Sequence, residues 1–431
     1  MVPRVGKPST ASRVAIACAI LAALAGCGSG LRGGLSARAG ASPSARFVSG
    51  ACSTAAMGAL GSVAARVYRE GISSERTGAA LALIARSAPL RAAVERDDPQ
   101  AARAAAQALL ATGHMTDLRV LRGGAAAGGG AQVLADVGEP NALAPLRGPI
   151  LGASGAPIGT FVTSVWGDSG LVEETSGITE SATALREHGQ SIAGSFALPP
   201  GTLPSQGTLT LSGVSYAYTS YPASVYPTGA PLRIYLLKSI ASIAPLCGRT
   251  RADTLVNTIG RVARLIYAGE VGARARIQVQ RAQHDQSLLR AVAARDPAAA
   301  RRAIASLLNE HIVRLRVSAG GRLLADVGGP CVLGPVHAPL RLHGRQVGDV
   351  VLSIQDDEGY KRLTGRLAGL DVLMYMGSQL VKNSLGPSPG AVPANGTYRY
   401  RGRTFRVLTL HAQAFPSGPL RIVVLIPIPY A

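Results

Sequence analysis

The chain repeats itself at long range. Leu134, Ala135, Asp136, Val137 and Gly138 recur as Leu324, Ala325, Asp326, Val327 and Gly328, a separation of 326 − 136 = 190 residues. Pro231, Leu232, Arg233 and Ile234 return as Pro419, Leu420, Arg421 and Ile422, and the pair Asp98, Pro99 returns as Asp296, Pro297. A period near 190 is far above the 20 to 50 residues of a solenoid module, so the repeating unit is a whole domain. Two copies of one fold are expected, with Asp136 over Asp326, Asp168 over Asp357 and Leu232 over Leu420. Function is then to be sought in what one copy can do.

The N-terminus reads as an export signal. Arg4, Lys7 and Arg13 precede an apolar run from Val14 to Leu24 that ends in Leu24, Ala25, Gly26, Cys27. That run is too short for the roughly 20 residues a bilayer core requires, and its charged, apolar and small-residue order is that of a secretory signal. The ending resembles the lipobox of bacterial lipoproteins, which implies a signal peptide at 1–26 and acylation of Cys27. Residues 27–51, rich in Gly, Ser, Ala and Arg, read as a flexible tether of roughly 25 Å root-mean-square reach. The expected location is the outer face of the bacterial cytoplasmic membrane, lipid-anchored and extracytoplasmic. No later apolar run is long enough to cross, so no fused output module is expected.

Composition narrows the partners. Four lysines stand against 44 − 4 = 40 arginines, and the formal net charge is +20. Such a charge favours anionic headgroups or wall polymers. The arginines are scattered rather than interleaved with aromatics, and the export signal argues against nucleic acid. Of five cysteines, Cys18 leaves with the signal and Cys27 takes the lipid, leaving Cys52, Cys247 and Cys331 where disulfides are permitted. Cys52 and Cys247 each precede the first helix of a repeat, which favours their pairing; unpaired, buried thiols remain the alternative.

Copy two shows the unit most clearly. Leu255, Ile259, Val262 and Ile266 share one helical face, within a long helix expected from about Arg251 to Ala294. Asp296 and Pro297 form an N-cap and first-turn proline for a second helix. From Ile312 the period becomes two: a hairpin through Gly320 and Gly321, a strand at Val347 to Ile354, then Val372 to Tyr375, Gln379 to Lys382, Tyr398 to Tyr400, Phe405 to Leu410 and Leu420 to Ile426. The fold class is α+β, each copy having a long N-terminal helix and a second helix on a five- to six-stranded antiparallel sheet.

This order of elements, with the acidic turn Asp357, Glu358, Gly359, Tyr360 before a short helix and the terminal Pro, Leu, Arg, Ile strand, resembles the Cache family of PAS-related extracytoplasmic sensor domains. The resemblance covers 52–238 and 247–427. It implies a small molecule held between a curved sheet and the loops over it, feeding a membrane-bound signalling partner. The Tyr, Arg, Trp, Tyr, Asp constellation of amino-acid-binding members is missing, so no ligand class is implied.

Residues with chemistry are few. Gly167, Asp168, Ser169, Gly170 looks like a trypsin-type nucleophile segment, but the base and buried carboxylate that activate such a serine have no matching segment. A strand-to-helix turn explains it, since Asp357 follows at 357 − 168 = 189. No histidine or cysteine spacing suits a metal, and no cofactor or enzymatic activity is expected. Trp166 is the sole tryptophan. Tyr216, Tyr218, Tyr221 and Tyr226 cluster in copy one where copy two carries Phe405, Val407, Leu410 and Phe415. Copy one is thus the better candidate for binding, at Trp166, Tyr218 and Tyr221 with Asp168 or Arg186 at the rim. The competing expectation is an envelope interaction protein with filled cores and a basic binding surface.

Overall fold

The computed structural model describes residues 50–112, 115–123, 132–139, 141–270, 272–308, 312–330, 332–415 and 418–430. Cys27, the signal segment, nearly all of the tether and Cys331 lie outside the described residues. The first half runs α1 (Ala51–Ser73), α2 (Glu75–Arg86), α3 (Ala88–Glu95), α4 (Pro99–Thr112), β1 (Asp117–Arg122), β2 (Gln132–Gly138), β3 (Ala142–Leu143), β4 (Leu146–Leu151), β5 (Pro157–Ser164), β6 (Trp166–Gly167) and α5 (Asp168–Thr179). It continues through β7 (Ala182–Glu187), β8 (Gln190–Gly194), β9 (Gln206–Leu211), β10 (Val214–Ser224) and β11 (Pro231–Ser239). A short connector, α6 (Ile240–Ile243) and a 3-10 turn at Ala244–Leu246, leads into the second half.

The second half repeats the order: α7 (Arg251–Glu270), α8 (Ala273–His284), α9 (Gln286–Ala293), α10 (Pro297–Leu307), β12 (Arg314–Ala319), β13 (Arg322–Gly328), β14 (Val332–Leu333), β15 (Val336–Leu342), β16 (Arg345–Ser353), β17 (Gln355–Asp356) and α11 (Asp357–Ala368). β18 (Asp371–Met376), β19 (Gln379–Asn383), β20 (Gly396–Tyr400), β21 (Arg403–Phe415) and β22 (Gly418–Ile428) complete it. The fold is α+β, with antiparallel sheets throughout.

Each half divides most of its strands between two sheets rather than placing them in one, and in the first half β3 and β6 form a separate two-stranded pair. The first sheets run β2-β1-β5-β4 and β13-β12-β16-β15; the second run β8-β7-β11-β10-β9 and, within a seven-stranded sheet, β19-β18-β22-β21 with β20 on β21. The division happens at a serine. Ser164 Oγ accepts from Trp166 N at 3.1 Å and donates to Leu143 O and Trp166 O. Ser353 Oγ makes the same bonds to Gln355 N, Leu333 O and Gln355 O. Such local side-chain bonds offer the backbone an alternative to the ladder, so the strand ends and the chain turns into α5 or α11.

The long helix expected from Arg251 to Ala294 is three helices. Gly272 is the N-cap residue of α8, and Asp285 caps α9 by accepting from Leu288 N at 2.7 Å. The sequence carries both breaks, a glycine with its low helix propensity and an N-cap aspartate. Asp98 and Asp296 cap the helices that follow them, accepting from Ala101 N at 2.9 Å and from Ala298 N and Ala299 N at 2.9 and 3.0 Å.

Helices α2 to α4 and α8 to α10 bury against the first sheet of their own half. The largest core belongs to both halves. Leu60, Val63, Ala64 and Val67 of α1, Ile259, Val262, Ala263 and Ile266 of α7, Leu171 of α5 and Tyr360 of α11 join the inner faces of both second sheets, including Ile234, Leu236, Ile422 and Val424. Small residues on α1 (Ala55, Ala56, Ala59) let neighbouring elements approach closely. Cys52 at the start of α1 is disulfide-bonded to Cys247, 195 residues later. Closing a loop that long is worth about 5 kcal/mol in the chain-entropy model, and 2–4 kcal/mol is typical of measured disulfides.

Candidate functional site

Strand alternation sorts the tyrosines of β10. Side chains three apart on a strand point to opposite faces, and Tyr218 and Tyr221 do so. Tyr221 faces the shared core, its ring 6.2 Å from that of Tyr68 on α1. Trp166 packs at the edge of this same core, and its Nε1 donates to Tyr68 O at 3.3 Å. Gly71 permits this, because a Cβ there would overlap the indole. Asp168 opens α5, half-buried, with Oδ1 accepting from Ser169 N at 2.5 Å. Trp166, Asp168 and Tyr221 therefore do not converge with Tyr218 and Arg186, and the single constellation drawn from sequence is split across the two faces of one sheet.

Tyr218 and Arg186 do converge, on the outer face of β7 to β11. Ala184, Tyr218, Tyr235 and Leu237 form its buried centre, covered by Phe196, Leu198 and Leu203 from the segment between β8 and β9. The Tyr218 and Tyr235 rings lie 6.1 Å apart, and Tyr235 Oη donates to Leu203 O at 3.3 Å. Burial raises the Tyr218 phenol above its usual pKa, with Tyr235 adding to the effect. The hydroxyl is a neutral donor at any ordinary pH.

Arg186 is 4% exposed. Its Nη2 donates to Gly189 O and its Cζ lies 5.9 Å from the Tyr235 ring centroid. Its Nε and Nη1 are buried and have no hydrogen-bond partner. Directly across the ladder stands Arg233, which pairs with Arg186 in the β11–β7 register. Arg233 donates from Nε and Nη2 to Ser220 Oγ at 3.2 and 3.1 Å. Neither arginine makes an ion pair among the described residues. Like charges directly opposite on one face are destabilising, and a buried donor left unmade costs about 1–3 kcal/mol, more when charged.

Sequence reasoning selected Arg186 and Tyr218 but not Arg233 or Tyr235. Arg233 sits in the echoed Pro, Leu, Arg, Ile strand; its role depends on strand pairing that a linear sequence does not display.

No protein-family model matches the chain, and no curated protein matches it. Among solved structures it is similar to an extracellular ligand-binding receptor from Desulfohalobium retbaense DSM5692, at 13% identity over 42% of this chain and 39% of that one, with a TM-score of 0.26. It is also similar to the ligand-binding domain of the Pseudomonas fluorescens chemoreceptor CtaA in complex with L-isoleucine, at 11% identity over 41% of this chain and 92% of that one, with a TM-score of 0.23. The chain thus spans about two fifths of the length of the first of these neighbours.

The matching face of the second half is chemically different. Its buried centre is Leu373, Tyr375, Phe405, Val407, Val423 and Leu425, covered by Leu385 and Val392. Tyr375 takes the place of Arg186, pairing across the ladder with Arg421 as Arg186 pairs with Arg233. The Arg421 guanidinium lies 4.3 Å from the Tyr375 ring centroid. One cation on an aromatic face is a favourable arrangement. Two cations side by side call for an anion.

Proposed function

We propose that this chain is a lipid-anchored, extracytoplasmic sensory module that binds a small carboxylate-bearing molecule on the outer face of the β7 to β11 sheet. The observation that carries this reading is the cross-strand pair Arg186 and Arg233, one of them buried with two unmade N–H donors. A guanidinium presents its donors in a fork that matches a carboxylate. The Tyr218 and Tyr235 rings supply an apolar wall with hydroxyls, the usual composition of a small-molecule site. Because Arg186 is 4% exposed, the 195–205 segment lifts for entry and closes over the ligand. Cys27 anchors the module, and a membrane-bound partner reads its state. The filled face of the second half supports a structural role for that half, and a binding rather than catalytic role suits the whole.

The test is a thermal-shift screen of the full-length protein against small carboxylates. Ligand binding raises stability by mass action, by about 2.7 kcal/mol at a hundredfold excess over Kd. Arg186→Gln and Arg233→Gln should each abolish the shift of any hit, whereas Trp166→Ala lowers the baseline but keeps the increment. A hit whose shift survives both arginine substitutions removes this site.

A further inference from the structure

Asp117 carries a buried carboxylate that the carboxylate-binding reading does not use. It opens β1, is 3% exposed, and its Oδ2 has no hydrogen-bond partner. Leu118 and Val120 point into the helical core of the first half, so by alternation Asp117 and Arg119 point to the other face of that sheet. Arg119 donates from Nε and Nη2 to Asp136 Oδ2 at 2.9 and 2.6 Å. Both bonds fall on one carboxylate oxygen, and Asp136 Oδ1 has no partner among the described residues. Glu139 is exposed, with Oε2 lying where a Cβ on Gly167 would overlap it. Tyr226 stands beside them: its Oη donates to Val162 O at 3.2 Å, and burial, followed by the charges of Asp136 and Asp117, raises its phenol. Arg147, across from Val162 on β4, is turned to the loop, where Nη2 donates to Pro227 O and Thr228 O at 3.1 and 3.3 Å.

The second half shows what this place accommodates. Strand register matches Asp117 with Arg314, since each opposes an echoed glycine on one side and a sheet-dividing serine on the other. It likewise matches Arg119 with Arg316 and Asp136 with Asp326. Ser224 and Gln413 oppose the echoed prolines Pro231 and Pro419, so two residues on Tyr226 matches Phe415. Arg314 donates from Nε and Nη2 to the two oxygens of Asp326 at 2.8 and 2.9 Å and from Nη1 to Gly329 O at 2.9 Å. Its Cζ lies 5.3 Å from the Phe415 ring centroid. The first half keeps the aspartate, the other arginine and the ring, but Asp117 removes this guanidinium and adds a carboxylate. The three matched positions therefore carry 2 − 1 = +1 in the second half and 1 − 2 = −1 in the first.

We propose that the first half takes a guanidinium group from outside, bound between Asp117 and Asp136 against the Tyr226 ring, in the place that Arg314 fills in the second half. A guanidinium fork matches carboxylate oxygens, and an aromatic face attracts the same cation. Two carboxylates and a ring suit a planar organic cation; among the described residues no three metal-ligating side chains come together. Entry is past Asp136 and Glu139, both exposed. The site shares no residue with the carboxylate site on the β7 to β11 sheet, and the two stand or fall separately.

Methylguanidinium chloride is the probe, titrated into full-length protein in detergent at pH 7 and constant ionic strength, with tetramethylammonium chloride as reference. Methylguanidinium should raise the melting temperature over the reference. Asp117→Asn, which keeps the shape and removes the charge, should weaken that response at least about tenfold, a 1.4 kcal/mol change. Asp117→Arg, which installs the second half's residue, should abolish it; the asparagine variant serves if the arginine one does not fold. Tighter binding of agmatine than of an end-blocked Gly-Arg-Gly peptide assigns a free guanidino compound, and the reverse order assigns an arginyl peptide. No rise over tetramethylammonium, an equal rise with methylammonium, or an undiminished rise in Asp117→Asn overturns the proposal.

Discussion

The two halves build the same pair of sheets and load them differently. On the second sheet's outer face, the first half sets a buried Arg186 beside an exposed Arg233, where the second sets Tyr375 under Arg421. On the first sheet, Asp117 begins β1 where Arg314 begins β12, each opposite a glycine of the echoed strand, Gly138 or Gly328. Arg314 and Arg316 both bind Asp326. Asp117 instead sits near Asp136 and Glu139, buried, with Oδ2 unpartnered. On the first sheet each half pairs its echoed aspartate, Asp136 with Arg119 and Asp326 with Arg314 and Arg316, and the first half alone carries the additional buried Asp117. Strand register needs only the pattern of inward apolar residues, which leaves the remaining positions free to serve stability in one half and recognition in the other.

The largest effect should come from the filled face. Phe405 is 0% exposed and lies at the register position of the half-buried Tyr216. Phe405→Ala should cost about 3–5 kcal/mol, within the range for aromatic truncation in a core. Tyr216→Ala should cost clearly less, about 1–2 kcal/mol, because part of its ring is already in water. Urea unfolding of both variants checks this. Equal losses would mean that the first half's outer face is as closely filled as the second's, and would weaken the case for a ligand there.

Next come the two aspartates, with opposite signs. Burial pushes Asp117 up to about 6, with Glu139 and Asp136 adding to it and a hydrogen bond from Thr116 opposing. A carboxyl whose folded pKa lies above its unfolded value of about 3.9 makes the native state bind protons more readily, so this group's contribution to stability falls as pH rises from about 4 to about 6. Asp117→Asn should therefore stabilise the protein at pH 7, by about 1–3 kcal/mol, and flatten that part of the pH profile. At Asp326 burial acts upward too, but hydrogen bonds and charge from Arg314 and Arg316 outweigh it and hold the carboxyl low. Its contribution is present at neutral pH and lost on acidification below about 4. Asp326→Asn should destabilise by about 2–4 kcal/mol at pH 7, since it strands two guanidinium groups. Chemical denaturation at pH 4, 5.5 and 7 distinguishes the two, and a loss of stability in both variants at pH 7 would erase the contrast.

The local grammar was plain in the linear sequence. Asp98 and Asp296 ahead of prolines, the Gly320, Gly321 hairpin and the acidic turn at Asp357 all act through neighbours a few residues away. The segment Gly167 to Gly170 is a strand-to-helix turn, as its echo at Asp357 implied. Three features were less legible. Gly272 and Asp285 interrupt a helix whose apolar spacing runs on past them, and a periodic pattern alone does not register the break. Ser164 and Ser353 turn one run of strands into two sheets through bonds that depend on the fold. Tyr218 and Tyr221 read as one cluster although their odd spacing already placed them on opposite faces, a rule of period two that was available and decisive. Arg233 was out of reach, because its place beside Arg186 depends on which strand lies alongside.

The smallest effect is the most direct measure of the comparison. Without ligand, Arg186 is a buried cation facing another cation, so Arg186→Met should leave stability unchanged or raise it by up to about 1 kcal/mol, as replacing a poorly compensated buried charge by an apolar side chain often does. Arg421→Met removes a guanidinium resting 4.3 Å from the Tyr375 ring centroid and should cost about 0.5–1 kcal/mol. The two changes differ by little more than the error of one denaturation curve, so they are best read as paired midpoints in the same buffer, with phosphate and carboxylates excluded. If Arg186→Met instead destabilises by several kcal/mol, the arginine is a structural element whose partners the ligand-free protein already supplies. If it stabilises the empty protein and removes the response to a carboxylate, the same charge that burdens the fold is the one that binds.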